Sequence, residues 1–307
     1  MIKELWHISK TRTEWKSVDA IGKYKSVCSM ISTGTERLVA SGTLDQHFES
    51  RMSVPYMDGS FTLPIKYGYS LIVKNQKGKL GHVMHPHQDA IQLDEDQIYW
   101  VDENIPATRL SLISNMETVI NAIWDAHPTK DQKIAICGFG NIGSLLANTL
   151  SVHYNINPHI VEIDPYRVSK AVELGFQGDN TEEYDIIFHT TASGPALQSC
   201  IDRLSFEGKL IELSWYGSKK VSLRLGEKFH YKRLQLVSSQ VSQIPGHKPK
   251  ETYLSRKNLA LSYLQDDSYD RLITHTFLMG ESPEFYHQLR NGNQPNGLIY
   301  IIDYLKN

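Results

Sequence analysis

Three glycines spaced as Gly-x-Gly-x-x-Gly are the residues of this chain that point most directly to chemistry: Gly138, Gly140 and Gly143. A β-branched run precedes them, and a helix-forming run, Ser-Leu-Leu-Ala, follows. In such a strand, turn and helix, the first glycine permits a tight turn and the second lets backbone N–H groups approach phosphates. The third lets the helix lie close to the strand, and the helix N-terminus adds partial positive charge. The pattern predicts a dinucleotide site whose phosphate loop includes Asn141 and Ile142.

The sequence also has an acidic residue at the distance from the glycine motif where dinucleotide sites bind the ribose. Glu162 ends a second apolar strand and lies 19 residues after Gly143. A carboxylate there accepts hydrogen bonds from the adenosine ribose hydroxyls and repels a 2′-phosphate, so the predicted cofactor is NAD(H). Asp164 is the neighbouring alternative. Because it precedes Pro165, we interpret it as a helix cap and keep Glu162 as the ribose ligand.

Bulk composition excludes several other classes of function. The chain has 307 residues, with 32 basic and 34 acidic side chains and a formal net charge of −2. This near balance leaves no electrostatic footprint for nucleic acid or an acidic membrane. The three cysteines lie far apart and suit a reducing compartment, and no stretch approaches the ~20 apolar residues of a membrane helix. We expect a cytoplasmic protein of two domains.

The elements around the glycine motif divide the chain. Residues 1–110 carry short strand signals, at 27–31 and 69–73, with a hairpin turn at 75–78, and few helical patterns. This half is predicted to be mostly β. Apolar residues from 110 to 126 then follow helical spacing, which predicts a helix leading into a nucleotide domain.

Strands and helices alternate from residue 133 to about 240. The predicted strands are 134–136, 160–161, 185–188, 209–213 and 234–237. Helical stretches separate the first four, whereas the last connection is mainly looped. The alternation predicts a parallel sheet with helices on both faces. A helix near 252–264 and a strand at 298–302 are too little to fold alone, so we expect them to pack onto the N-terminal half.

This organisation resembles the medium-chain dehydrogenase/reductase superfamily over essentially the whole chain. The resemblance rests on Ser32-Thr-Gly-Thr-Glu36, Lys66-Tyr-Gly-Tyr-Ser70, the glycine motif, the Glu162 to Gly175 spacing and Arg271-Leu-Ile-Thr-His275. It is similar more specifically to zinc-less alcohol dehydrogenase-like proteins of the bacteriochlorophyllide dehydrogenase-like subgroup, through Met84-His-Pro-His-Gln88 and Ser238-Ser-Gln-Val241.

The resemblance implies an α/β fold in which a Rossmann dinucleotide-binding domain is inserted in a GroES-like β-rich catalytic domain. The implied limits are 1–112 for the first part of the catalytic domain, 113–242 for the Rossmann domain and 243–307 for the return segment. It also implies that the family usually dimerises through the edges of the Rossmann sheets. The apolar strand at 234–237 is the expected edge, so we predict a homodimer.

The resemblance also implies further cofactor residues. Arg167 corresponds to a basic residue beside the adenosine ribose, and Thr118 to a residue near the nicotinamide. The backbone around Thr190 and Ser214 is expected to line the track from adenine to nicotinamide.

Zinc-dependent members hold a catalytic metal through Cys, His and Cys or an acidic residue. The corresponding positions here are Thr33, Tyr69 and Ser114, none of which is a good zinc ligand at neutral pH. The four-cysteine structural zinc lobe is missing from the sequence as well. We therefore expect no metal site.

Hydride transfer to a carbonyl builds negative charge on oxygen, which a proton donor must neutralise. Thr35 stands where zinc-dependent relatives place a proton-relay hydroxyl; the alternative is a turn hydroxyl beside Gly34. Tyr69 could present its phenol to a substrate or serve only in packing.

A histidine group, His82-x-x-His85-Pro-His87, supplies another candidate acid. Imidazole titrates near neutrality, which makes His87 or His85 a candidate general acid. The alternatives are a structural network with Gln88 or a metal site. A metal site is disfavoured because no cysteine or second histidine cluster accompanies the group.

Three functions follow from these residues. The leading hypothesis is a zinc-independent, NAD(H)-dependent oxidoreductase that acts on an alcohol/carbonyl pair. The second is a quinone or enoyl reductase, whose polarised acceptor needs less acid catalysis. The third is a non-catalytic NAD(H)-binding redox sensor.

Overall fold

The computed structural model describes residues 1–102, 104–180 and 183–305. Within it the chain forms two compact units. The first consists of Met1–Ser114, Leu264–Pro295 and the residues from Ile299 onwards; the second consists of Asn115–Tyr263 and Asn296–Leu298.

Helices and strands alternate in the second unit, while strands dominate the first. The strands are β1 (Ile2–Ser9), β2 (Arg12–Val18), β3 (Tyr24–Ile31), β4 (Asp58–Gly59), β5 (Ile65–Lys66), β6 (Leu71–Lys74), β7 (Leu80–Val83), β8 (Ala90–Ile91), β9 (Tyr99–Trp100), β10 (Ile134–Cys137), β11 (His159–Val161), β12 (Tyr184–His189), β13 (Leu204–Glu212), β14 (Gln235–Ser238), β15 (Ile273–Leu278) and β16 (Ile299–Asp303). The α-helices are α1 (Thr33–Ala40), α2 (Glu49–Met52), α3 (Ala107–Leu110), α4 (Ile113–Ala126), α5 (Asn141–Tyr154), α6 (Pro165–Glu173), α7 (Gly194–Asp202), α8 (Tyr253–Tyr263) and α9 (Ser282–Asn291). Of the helices in the described part of the chain, none has the length and apolar character to cross a membrane.

The first unit contains two sheets. One has the strand order β2-β1-β5-β4, and the other has the order β15-β16-β3-β6-β7-β9, with β8 paired to β3. The predicted strand at 27–31 lies in β3. The predicted hairpin turn joins β6 to β7, where the Gly78 N–H donates to the Asn75 carbonyl at 3.0 Å. Strand β6 begins at Leu71 rather than at Tyr69, because the Tyr69 carbonyl accepts the Ser114 hydroxyl at 2.8 Å instead of a neighbouring strand.

The second unit is a five-stranded sheet in the order β11-β10-β12-β13-β14, and every strand pair is parallel. All four residues of β10 are buried, as expected for a strand covered on both faces. The α/β fold class, with a parallel nucleotide-binding type of sheet in the second unit and a β-rich first unit, is therefore confirmed. The connection from β13 to β14 contains only one short helical turn, Leu225–Phe229, so it is mainly looped as predicted.

The helix predicted near 252–264 is α8, but it belongs to the second unit. The buried Arg256 of α8 donates from Nη1 to Asn121 at 2.8 Å and from Nε to Glu117 at 3.3 Å, both on α4. A buried guanidinium requires such partners, and they lie on α4. The predicted return segment, 243–307, therefore differs from the structure, because its first part packs with the nucleotide-type sheet.

Candidate functional site

The glycine turn joins β10 to α5. Gly138 has φ +100°, and a Cβ at this position would lie 2.6 Å from the Thr190 hydroxyl. A Cβ at Gly143 would lie 1.9 Å from the Gly138 carbonyl oxygen, which no backbone can accommodate without moving. The two glycines therefore let α5 start against the end of β10, in the strand, turn and helix order that the motif predicts.

Gly140 has a different environment. It precedes α5, has ordinary extended geometry and supplies no side-chain cap to the helix. A Cβ built there meets only the Arg167 guanidinium, at 3.6 Å. The first-turn N–H groups of a helix lack intrahelical partners, so a helix start beside a cation suits an anionic group. Asn141 and Ile142 begin this first turn, and the Asn141 side-chain oxygen accepts a hydrogen bond from Asn115 at 2.8 Å.

Glu162 follows β11, the strand next to β10, and its side chain is only 7% exposed. Its Oε2 accepts the Phe139 N–H at 2.8 Å, and its Oε1 accepts the N–H groups of Ile163 at 2.7 Å and Asp164 at 3.0 Å. A carboxylate offers about four acceptor sites, so one remains on Oε2 for a further donor. Arg167 lies 4.0 Å from the same oxygen.

Asp164 and Ile163 have distinct surroundings. Asp164 caps α6, since its Oδ1 accepts the Arg167 N–H at 3.0 Å, in agreement with the cap interpretation. Ile163 is 95% exposed, directly beside the Glu162 carboxylate. Ile163 was not among the predicted site residues, although its position between two acidic residues at a strand end is visible in the sequence.

The remaining predicted cofactor residues also lie in the second unit. The Thr190 hydroxyl donates to the Cys137 carbonyl at 3.0 Å and so braces the glycine turn. Thr118 is half-buried on α4, and Ser214 follows β13, where its hydroxyl accepts the Ala192 N–H at 3.0 Å.

Two predicted catalytic residues lie together in the first unit. Thr35 is on the first turn of α1, and the Tyr69 phenol hydrogen-bonds with the side chains of Ser32 and Thr35. Burial raises the pKa of Tyr69 to about 12, and the nearby Glu36 acts in the same direction, whereas the two hydrogen bonds oppose the shift. The pair can therefore hold a proton at a hydroxyl across the physiological pH range.

His87 has no ring nitrogen available for a substrate. It is buried, with Nδ1 2.7 Å from the Ser29 hydroxyl and Nε2 2.9 Å from Glu36 Oε2. The same carboxylate oxygen accepts the Tyr286 hydroxyl. This geometry does not support direct acid catalysis by His87, and we interpret it as a residue that positions Glu36 and α1.

His85 and Gln88 complete the histidine segment. The His85 ring stacks on Tyr56 with centroids 5.0 Å apart, and burial lowers the pKa of His85 to about 4. Such an imidazole is neutral near pH 7 and cannot serve as an acid there. The Gln88 amide donates to the Ala90 carbonyl at 2.7 Å rather than to a histidine.

The positions that hold zinc in the resembled family are engaged in other contacts. The Ser114 hydroxyl donates to the Tyr69 carbonyl and lies 3.1 Å from His82 Nε2, while Thr33 begins α1. Across the described ranges, no group of three His, Cys, Asp or Glu side chains could hold a metal ion.

No protein-family model matches this chain, and no curated protein matches it. Solved structures do match in fold. A short chain alcohol dehydrogenase (rspB) from E. coli CFT073, complexed with NADH, is 12% identical, with a TM-score of 0.72 over 98% of this chain and 99% of that one. The 2R,3R-butanediol dehydrogenase of Bacillus subtilis is 14% identical, with a TM-score of 0.71 over 99% of each chain. S. aureus TarJ, complexed with NADPH, is 16% identical, with a TM-score of 0.67 over 99% of each chain.

At these identities the likeness concerns the fold. It extends over nearly the full length of both chains in each case. The chain thus has the fold of these dehydrogenases, with a parallel nucleotide-type sheet and a β-rich unit.

Proposed function

We propose that this protein is an NAD(H)-dependent, zinc-independent oxidoreductase of the medium-chain type that interconverts an alcohol and a carbonyl compound. The observation that carries the proposal is the glycine turn at the end of β10, with the Glu162 carboxylate at the end of the adjacent strand. In open parallel sheets this edge is where dinucleotides bind. The fold neighbours crystallised with NADH and NADPH support a nicotinamide cofactor of either kind.

The residues present fit a dinucleotide. The space before Gly140, bordered by Arg167 and the start of α5, suits a pyrophosphate. The remaining acceptor site of Glu162 suits a ribose hydroxyl. The exposed Ile163 side chain offers an apolar surface for the adenine ring. When bound, the nicotinamide supplies or accepts a hydride.

Glu162 favours NAD(H) over NADP(H), because its buried carboxylate would repel a 2′-phosphate. Arg167 opposes this effect, since a guanidinium 4.0 Å from the carboxylate would attract the same phosphate. Three backbone N–H groups hold Glu162 in place, whereas Arg167 is partly exposed and can turn away. We therefore assign the preference to NAD(H).

For the proton step we propose the Tyr69–Thr35 pair. Tyr69 holds a proton on its phenol, and Thr35 and Ser32 orient it. Thr33, Tyr69 and Ser114 do not form a zinc-ligand set, so the hydroxyl pair takes the place of a metal in this proposal. The nearer similarity to the bacteriochlorophyllide dehydrogenase-like subgroup stays a prediction.

A quinone or enoyl reductase is the second candidate. The pKa of Tyr69, about 12, makes this phenol a weak acid, which suits an acceptor that is already polarised. A quinone or enone therefore needs a weaker proton donor than a simple carbonyl compound does.

The test is a titration of the purified protein with NADH and NADPH, followed by turnover assays. We expect NADH to bind at least ~10-fold more tightly than NADPH, a difference of about 1.4 kcal/mol. Turnover with aldehydes or ketones supports the leading proposal, whereas turnover only with enones or quinones supports the second. Binding of NADH without turnover of any of these would support the redox sensor, and failure to bind either dinucleotide would exclude all three.

We also propose a homodimer through the sheet of the second unit. β14 is the last strand of the sheet, and most of its residues are exposed. An exposed sheet edge with unpaired backbone groups favours pairing with another strand. A monomeric mass in solution would contradict this assembly.

A further inference from the structure

A hydrogen-bonded pair of side chains joins the carboxyl ends of β12 and β13. His189 and Glu212 are register partners at the last paired positions of these strands. His189 Nδ1 lies 2.9 Å from Glu212 Oε2 and 3.0 Å from Oε1. The His189 side chain is fully buried, and that of Glu212 is 13% exposed. Neither residue was among the predicted site residues.

The pair holds the two loops that follow these strands. Glu212 accepts the Ser214 N–H at 2.7 Å and the Tyr216 hydroxyl at 3.0 Å. On the other side, His189 Nε2 lies 2.8 Å from the Thr191 hydroxyl. Each loop is therefore bonded to one member of the pair, and the Ser214 hydroxyl also lies 3.4 Å from His189 Nδ1.

The two loops are also tied to each other. The Ser214 hydroxyl accepts the Ala192 N–H, and Ala192 has φ +51°, a conformation uncommon for alanine. Such backbone persists only where its surroundings hold it. Burial by itself would raise the pKa of Glu212, but the hydrogen bond and charge of His189, with the bonds from Ser214, hold that pKa below its ordinary value. Glu212 is thus an anion at neutral pH, and replacing His189 would remove one of the side chains that hydrogen-bond to it.

The strand order indicates what these loops face. Glu162 follows β11 and the glycine turn follows β10, the next strand of the sheet, so a dinucleotide with its adenosine on Glu162 would run from β11 across β10. The next strands in that direction are β12 and β13. In open parallel sheets the ligand lies outside these carboxyl ends. The nicotinamide half of such a cofactor would therefore lie against the loops after β12 and β13.

We propose that the hydrogen-bonded pair His189–Glu212 is a positioning device that holds the loops 190–193 and 213–216 in the shape that binds the nicotinamide half of the cofactor. This inference rests on the proposed function. The His189 side chain is fully buried, and that of Glu212 is 13% exposed and bonded to Ser214 and Tyr216, so in this proposal the pair acts through the loops and not on the reacting atoms.

The experiment compares two probes that share the adenosine and phosphate contacts. ADP reports on Glu162 and the glycine turn, while NADH adds the nicotinamide half. We expect Glu212→Gln to weaken NADH binding at least ~10-fold and ADP binding less than ~2-fold. The fluorescence of bound NADH gives a second readout, because a nicotinamide that is held less firmly has a different emission per bound molecule.

A matched control lies at the other end of the same sheet. Asp185, near the start of β12, also accepts a backbone N–H, from Lys133 at 2.8 Å, and a hydroxyl, from Ser205 at 2.8 Å. Asp185→Asn should leave the NADH-to-ADP affinity ratio unchanged. If Glu212→Gln does not fold, Ser214→Ala removes the link between the loops and should weaken NADH selectively.

The two affinities together test whether the pair positions the loops. Equal weakening of NADH and ADP, or no weakening of NADH, overturns the positioning role while leaving dinucleotide binding intact. If the unmodified protein binds neither probe, the proposed function itself fails, and the inference fails with it.

Discussion

At the scale of single residues, burial decides which candidate acids can work. Tyr69 stays protonated because burial raises its pKa to about 12, whereas His85 stays neutral because burial lowers its pKa to about 4. Both shifts have the same cause, since a low-dielectric interior disfavours the charged form of either group. At neutral pH the phenol therefore retains a proton to donate, and the imidazole does not.

Replacing Tyr69 with phenylalanine tests the proton donor. We expect Tyr69→Phe to lower carbonyl-reduction kcat by roughly 10²-fold or more, the usual contribution of a general acid, with NADH affinity unchanged. Tyr67→Phe is the matched control, since Tyr67 is a buried neighbour whose ring meets Tyr69 edge to face. Steady-state kinetics and NADH titration measure both effects. Full activity in Tyr69→Phe would exclude the phenol as the donor.

At the scale of elements, the local sequence pattern predicted the strands of the parallel sheet in the second unit. Strands β10, β11, β12 and β14 lie within about two residues of their predicted limits, because short apolar runs between turn residues are characteristic of strands. Strand β13 begins at Leu204, five residues before the predicted start at 209. The first part of β13 includes the exposed Phe206 and Glu207 at φ +57°. It therefore lacks the apolar sequence pattern from which a strand is predicted.

Two glycines of the turn, Gly143 and Gly140, should respond differently to alanine. In Gly143→Ala the Cβ would collide with the Gly138 carbonyl, so we expect unfolding free energy to fall by about 1–3 kcal/mol and NADH affinity to fall as well. In Gly140→Ala the Cβ meets only Arg167, so stability should be unchanged while NADH affinity falls.

Gly178→Ala is the control for this pair, since its Cβ meets nothing within 4 Å and its φ is not positive. Gly178→Ala should change neither the unfolding free energy nor the affinity for NADH. Urea unfolding and NADH titration measure the two effects. Loss of stability in Gly140→Ala, or unchanged NADH binding in both turn variants, would contradict this account of the turn.

At the scale of the whole molecule, buried polar groups connect distant parts of the chain. In the first unit, the Glu36 carboxylate on α1 accepts hydrogen bonds from His87 and Tyr286, which lie 51 and 250 positions away in the chain. In the second unit, Arg256 of α8 bonds to α4. No local pattern in the sequence identifies such partners, which explains why α8 was predicted to pack with the other unit.

Burial of His85 predicts a pH dependence of stability in the first unit. Its pKa is about 4 in the folded chain and about 6.5 when unfolded, so the unfolded state binds the proton first as pH falls. The free energy of unfolding therefore has its full value, as far as His85 is concerned, above pH ~6.5. It decreases by up to about 3 kcal/mol as the pH falls towards about 4.

Urea unfolding at pH 7 and pH 5 measures this loss. His85→Gln should lose less stability between the two pH values than the unmodified protein. His47→Gln, at an exposed histidine, should behave like the unmodified protein. Equal losses in all three proteins would show that His85 does not carry the effect.

The sequence by itself determined the parallel sheet, the glycine turn and the acidic residue beside it. These depend on local physics: the space that a Cβ needs, the periodicity of apolar residues and the spacing between neighbouring strands. The tertiary structure alone decided that Tyr69 meets Thr35, that His87 is enclosed by Ser29 and Glu36, and that His189 pairs with Glu212. These contacts join residues far apart in the chain, and their protonation depends on burial, which only the folded chain creates.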